Sequence, residues 1–171
     1  MFAARRNAFM KQMNSGVAVL FSGSEQVRSR DTNFPFRQDS YFNYLSGFPE
    51  PDCVMVLTPG HTEHEFVMFT RPKDPLRETW DGRRCGVEGV QREFGANQAH
   101  PIEKLEELLP GYLENQEHLY FAFGQNPGHD RAMMKALDTV RGKVRLGIRA
   151  PESMVDPAGI LDEMRLFKAE D

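Results

Sequence analysis

Short apolar runs alternate along the chain with longer stretches in which apolar residues recur every three or four positions. The run VAVLF (Val17–Phe21), closed by Ser22-Gly23-Ser24, predicts a buried strand. Similar runs predict strands at 41–45, 53–57, 65–70, 118–123 and 143–148. The run at 53–57 is closed by Thr58-Pro59-Gly60, so it forms a hairpin with the next. Residues 3–13 place Phe9, Met10 and Met13 at helical spacing. Helical patterns also cover 86–94, 102–109 and 129–137. A last one runs over 153–167, with Ile160, Leu161, Met164 and Phe167 on one face. A hairpin followed by strand–helix–strand predicts a three-layer α/β/α domain with a mixed sheet of about six strands. Val19, Val54, Val56, Val67, Phe69 and Phe121 are its expected core. No internal repeat or low-complexity linker interrupts the chain.

A chain of 171 residues has length for one domain with a real core. Its net charge of −4 implies no basic face, which argues against nucleic acid as a partner. No apolar run approaches a membrane span. The N-terminal MFAARRNAFMKQM has no apolar signal-peptide centre, and predicts an amphipathic helix in a cytoplasmic protein. Cys53 and Cys85 match neither a zinc spacing nor a disulfide framework.

Several kinds of chemistry lack their motif: there is no phosphate-binding G-x-x-x-x-G-K-[ST], no G-x-S-x-G and no H-E-x-x-H. His61 and His64 flank a Pro-Gly turn and read as solvated residues, because a zinc site needs three or four converging ligands. Arg83 and Arg84 could lower the pKa of Cys85, but no His is placed to serve it, so a buried or incidental thiol is the better reading. The carboxylates of EKLEELL fall on a solvated helix face, and PGHD reads as a helix start with Asp130 in its first turn.

The densest stretch is FRQDSYFNYLSGFPEP, residues 36–51. Arg37, Gln38 and Asp39 are expected to organise the start of the strand at 41–45, with a buried guanidinium fork. Strand alternation puts Phe42 and Tyr44 on one face, as core with Leu45 and Phe48. GFPEP is a turn in which Gly47 supplies conformational freedom. Asp31 lies in a polar loop. Trp80, the sole tryptophan, sits among charges in ETWDGRR, a loop-like and partly exposed setting. Arg145 falls in the strand at 143–148, where an arginine needs a partner.

These stretches, with VRSRDTNFPF, ETWDGRRCG, VRLGIRAP and DEMRLFK, resemble the N-terminal domain of Xaa-Pro aminopeptidase (aminopeptidase P). That domain belongs to the creatinase/prolidase superfamily and has a ribonuclease H-like fold. The resemblance runs from the helix of Arg5 and Arg6 to Lys168, with no matched motif between Val87 and Arg141.

It implies a domain over 1–168 and the start of a linker at 169–171. Beyond it would lie a C-terminal pita-bread domain holding two metal ions, usually manganese, and cleaving the bond before a proline. No catalytic or metal-ligating residue falls in this chain by that resemblance. It further implies a homo-oligomer, dimer or tetramer, acting on proline-containing peptides. Asp31, Trp80 and Arg145 would approach the substrate cleft, Trp80 and Arg145 from a neighbouring subunit. Two alternatives share the fold: a non-catalytic peptide- or histone-binding module, and a prolidase- or creatinase-type hydrolase. The R-Q-D-S and W-x-G-R-R motifs favour the peptidase. A downstream Asp–Asp–His–Glu–Glu set would decide.

Overall fold

Side-chain alternation along a few apolar strands sorts the interior into two cores. The structure, a computed structural model, describes residues 1–167, so the linker start expected at 169–171 lies outside the described residues. Helix α1 (Phe2–Met13) leads into β1 (Val17–Phe21). A small hairpin of β2 (Val27–Ser29) and β3 (Thr32–Asn33) is followed by α2 (Ser40–Ser46), β4 (Val54–Leu57) and β5 (Phe66–Thr70). Then come α3 (Pro75–Asp81), α4 (Gly86–Phe94) and β6 (Gln98–Pro101). A 3-10 turn at Ile102–Lys104 runs into α5 (Leu105–Leu113), β7 (His118–Tyr120) and α6 (Pro127–Arg141). A second 3-10 turn, Val144–Leu146, precedes β8 (Ser153–Val155) and α7 (Ala158–Leu166).

The sheet has six strands in the order β6-β5-β4-β1-β7-β8. Strands β1, β4 and β5 pair antiparallel, and the outer pairs β5–β6, β1–β7 and β7–β8 are parallel. Val19 faces Val56, which faces Val67, so a row of valines crosses three strands. On that face Val17, Val19, Val54, Val56, Val67, Phe69, Leu119 and Phe121 pack against α5 and α6. On the other, Ala18, Leu20, Met55, Leu57, Phe66, Met68 and Tyr120 pack against α1, α2, α4 and α7. Strands covered on both sides lack a polar alternation, which is why they read as continuous apolar runs. The expected three layers, mixed sheet and core residues are all present.

Two segments expected as strands are not. Residues 41–45 form α2, because the Asp39 carboxylate accepts hydrogen bonds from the Tyr41 and Phe42 amides, at 3.0 and 2.9 Å, and caps a helix. Gly47 ends that helix in the left-handed region at φ 65°, where the Phe2 ring leaves no room for a Cβ. Phe42, Tyr44, Leu45 and Phe48 are buried as expected, though through helical rather than strand geometry. Tyr41 and Tyr44, one turn apart, reach α7: the Tyr41 hydroxyl donates to Asp162 (2.7 Å) and the Tyr44 hydroxyl to the Met164 carbonyl (3.2 Å). The bond to Asp162 is the main reason the Tyr41 phenol is pushed up to about 12.

Arg37 is exposed and makes no buried fork. The buried guanidinium that reaches this stretch is that of Arg6. It donates to the Leu45 carbonyl (3.0 Å) and lies over the Phe66 ring, and burial pulls it down to about 10.

Residues 143–148 are the second correction. They hold a 3-10 turn, Val144–Leu146, ended by Gly147 at φ 78°, and the strand beside β7 is instead β8. The segment 153–167 is therefore strand first and helix only from Ala158. Strand β6 reads Gln-Ala-His-Pro, with no apolar run to announce it.

Val56→Asp places an unpaired carboxylate between the sheet and the α5–α6 layer, at a cost of several kcal/mol, comparable to a domain's whole stability. The variant is expected to show no cooperative thermal transition by circular dichroism; a parent-like melt would refute the burial of β4 beneath α5 and α6. Asp39→Ala should lower unfolding free energy by about 1 kcal/mol in urea titration, the usual worth of a helix N-cap.

Candidate functional site

Strand direction decides where the candidate residues emerge. Asp31 is exposed in the turn between β2 and β3, on the segment that leaves the carboxyl end of β1. Trp80 lies in the last turn of α3, on the segment that leaves the carboxyl end of β5. Strands β1 and β5 both run antiparallel to β4, so the two residues follow the same end of the sheet. Arg145 sits in the 3-10 turn ahead of β8, whose direction matches β1, and so precedes the opposite end. It is exposed and pairs with no carboxylate among the described residues, unlike an arginine inside a strand. One chain does not gather the three.

Trp80 is 89% exposed, and Leu76, one turn earlier on the same helix, is 83% exposed. Sequence reasoning placed Trp80 in a loop and partly exposed. It is on a helix, because Asp74 caps it by accepting from Leu76 and Arg77 and Pro75 fits its first turn. α3 has no buried residue. Its attachment is at its base, where the segment 71–85 leaves β5 and returns at α4. There Arg71 lies 3.6 Å from the Glu50 carboxylate, and the Cys85 amide donates to Glu50 (2.5 Å). Arg84 donates to the Pro72 carbonyl (3.3 Å) and pairs with Asp81 (3.7 Å). Oε2 of Glu50 and Nε of Arg71 and of Arg84 are buried without a hydrogen-bond partner. In the sequence Glu50 shows only as the acidic residue between two prolines of the GFPEP turn.

A cleft of about 290 Å³ opens at the carboxyl ends of β1 and β7. Phe21, Ser22, Asp39, Tyr41, Asn126 and His129 line it. His129 stacks on Phe21 at 4.1 Å, and burial pushes its imidazole below the ordinary value. Ser22 donates to the Gly23 carbonyl and accepts from the Cys53 amide, so its hydroxyl is occupied structurally.

His61 and His64 stack at 4.6 Å, and His64 hydrogen-bonds Thr58 (3.0 Å). Among the described residues no three His, Cys, Asp or Glu side chains are grouped to hold a metal ion. No helix of the described residues is long and apolar enough to cross a membrane. Burial drives the Cys53 thiol up to about 12 and that of Cys85 upward too, against any lowering by the neighbouring arginines.

A family model described as aminopeptidase P, N-terminal domain, matches residues 2–120. Xaa-Pro aminopeptidase of Escherichia coli (strain K12) is 35% identical over 170 residues, 98% of this chain and 38% of its own length. The structure of Pseudomonas aeruginosa aminopeptidase PepP superposes with a TM-score of 0.95 at 41% identity, covering 98% of this chain and 38% of that one. A zinc-substituted E. coli aminopeptidase P in complex with product superposes at 0.92 with 35% identity, covering 98% of this chain and 39% of that one. The chain thus spans well under half the length of these relatives.

Alkylation with iodoacetamide should modify Cys85 alone in the folded protein, and both cysteines after denaturation. Because burial raises both thiols, the Cys85 rate should climb through pH values above the ordinary thiol range, read by mass spectrometry. Labelling of Cys53 at a comparable rate would contradict its burial.

Proposed function

The chain belongs to the aminopeptidase P N-terminal domain family, and from that footing we propose that it is the N-terminal part of an Xaa-Pro aminopeptidase, a metal-dependent peptidase that removes the residue preceding a proline. The observation that carries a role for this domain is Trp80, nearly fully exposed on a helix that buries nothing. A large aromatic held out into solvent is suited to cover another surface. In this reading Trp80 caps the substrate cleft of a neighbouring copy in a homo-oligomer, a dimer or tetramer. Asp31 and Arg145 act at such clefts as well. A carboxylate suits a peptide's amino end, and a guanidinium suits its carboxylate or carbonyl groups. Asp31 and Trp80 leave one end of the sheet and Arg145 precedes the other, which supports a cleft completed by a neighbouring copy rather than by one chain.

The described residues do not fit a metal site: they bring no donor set together. We therefore assign the metal ions, two manganese ions in this proposal, to a C-terminal catalytic domain. The residues of this chain would contribute walls. Closing a cleft excludes water and fixes the peptide against the reacting centre, which metal ligands alone do not do. The cytoplasm is the proposed compartment.

In the full-length enzyme, Trp80→Ala should lower kcat/KM for an Xaa-Pro peptide on the order of tenfold or more, with metal content and folded fraction unchanged. A loss that only tracks the unfolded fraction would remove Trp80 from the cleft. The chain of residues 1–171 on its own should neither turn over such a peptide nor retain stoichiometric manganese after dialysis. Turnover that co-purifies with it would overturn the assignment of the metal chemistry elsewhere.

A further inference from the structure

We infer that Glu50 is a positioning residue for Trp80: its carboxylate closes the neck of the 71–85 segment and so sets the direction in which the exposed tryptophan points. The link to activity rests on the cleft role proposed for Trp80; the clip itself does not.

Packing cannot orient α3. It is seven residues long, buries none of them, and exposes both Leu76 and Trp80. A helix that short is marginal in water without tertiary support. Its caps come from within the segment and fix its shape, not its direction. What ties the segment to the sheet lies at its two ends, and one side chain touches both. Glu50 Oε2 faces Arg71, the first residue after β5, at 3.6 Å. Glu50 Oε1 accepts from the amide of Cys85, just before α4, at 2.5 Å. Arg84 adds a second tie across the same neck, donating to the Pro72 carbonyl and pairing with Asp81 at the end of α3.

Glu50 is itself fixed in place. Gln38 Nε2 donates to the Glu50 carbonyl (2.9 Å) and to that of Phe48 (3.0 Å), while its Oε1 accepts from the Gly23 amide (2.8 Å). Pro51, the next residue, is buried. A continuous set of contacts therefore runs from the end of β1 through Gln38 and Glu50 to Arg71 and Cys85. The buried, unbonded Oε2 of Glu50 and Nε of Arg71 show that this pair is held by charge rather than by a full set of hydrogen bonds. Glu50→Gln keeps an acceptor for Cys85 and loses the attraction to Arg71; Glu50→Ala loses both.

The test is hydrogen exchange by mass spectrometry on this chain, together with fluorescence anisotropy of its sole tryptophan. In Glu50→Ala, amides of 72–85 should exchange about tenfold faster and the Trp80 anisotropy should fall, while β1, β4 and β5 keep their protection. Glu50→Gln should fall between, and carries the same comparison if Glu50→Ala does not fold. Unchanged exchange in 72–85, or equal acceleration in the central strands, would overturn the clip. In the full-length enzyme, Glu50→Ala added to Trp80→Ala should cost little beyond Trp80→Ala alone, since both act through one side chain. Losses that multiply would overturn the link to Trp80. A neutral Trp80→Ala alongside faster exchange in Glu50→Ala would sink the cleft role and leave the clip standing.

Discussion

Burial of the central strands on both faces is the constraint from which the rest of the fold follows. Strands β1, β4 and β5 offer valines and Phe69 to one side, and methionine, leucine, alanine and Phe66 to the other. Neither face can be left to water, so α5 and α6 cover one and α1, α2, α4 and α7 the other. Hydrophobic transfer of about 25 cal/mol per Å² supplies the drive, and each helix is placed by the apolar stripe it brings to the sheet. The chain has to pass over the sheet's ends to reach both layers, and those crossings are the segments that carry the candidate functional residues.

A few polar side chains fix how the outer layer closes. The Arg6 guanidinium ties α1 to the end of α2 through the Leu45 carbonyl. The tyrosines of α2 hold α7 through Asp162 and the Met164 carbonyl. Gln38 binds together the segment after β1 and the turn after α2. Apart from the exposed Tyr41–Asp162 pair, these bonds engage backbone groups in buried or part-buried positions, and breaking one leaves an unsatisfied group behind. The motif-rich stretch 36–51 is therefore a set of ties rather than a reaction centre.

The exposed parts follow a different logic. Leu76 and Trp80 are apolar, outside both cores, and held only through the base of their segment. Asp31 and Arg145 stand on turns at opposite ends of the sheet. Such groups add little to the stability of one copy, which leaves them available to a second surface.

The hydrophobic pattern by itself determined the layer architecture, the β4–β5 hairpin and the buried valines, because two-sided burial leaves runs that polar context cannot imitate. The motifs around Arg37–Ser40, Trp80 and Arg145 identified the family. The pattern misread residues 41–45, whose aromatics suit a strand, because one carboxylate at Asp39 capped a helix there. It misread 143–148, because Val144 and Leu146 stay exposed on a 3-10 turn that Gly147 ends in the left-handed region. Strand β6 was invisible, since a polar edge strand is defined by the backbone partner beside it rather than by its side chains. Glu50 was legible only as part of a turn. Its role depends on Arg71 and Cys85, residues distant in sequence that meet its carboxylate only once β5 and α4 have docked, and no local pattern encodes that meeting.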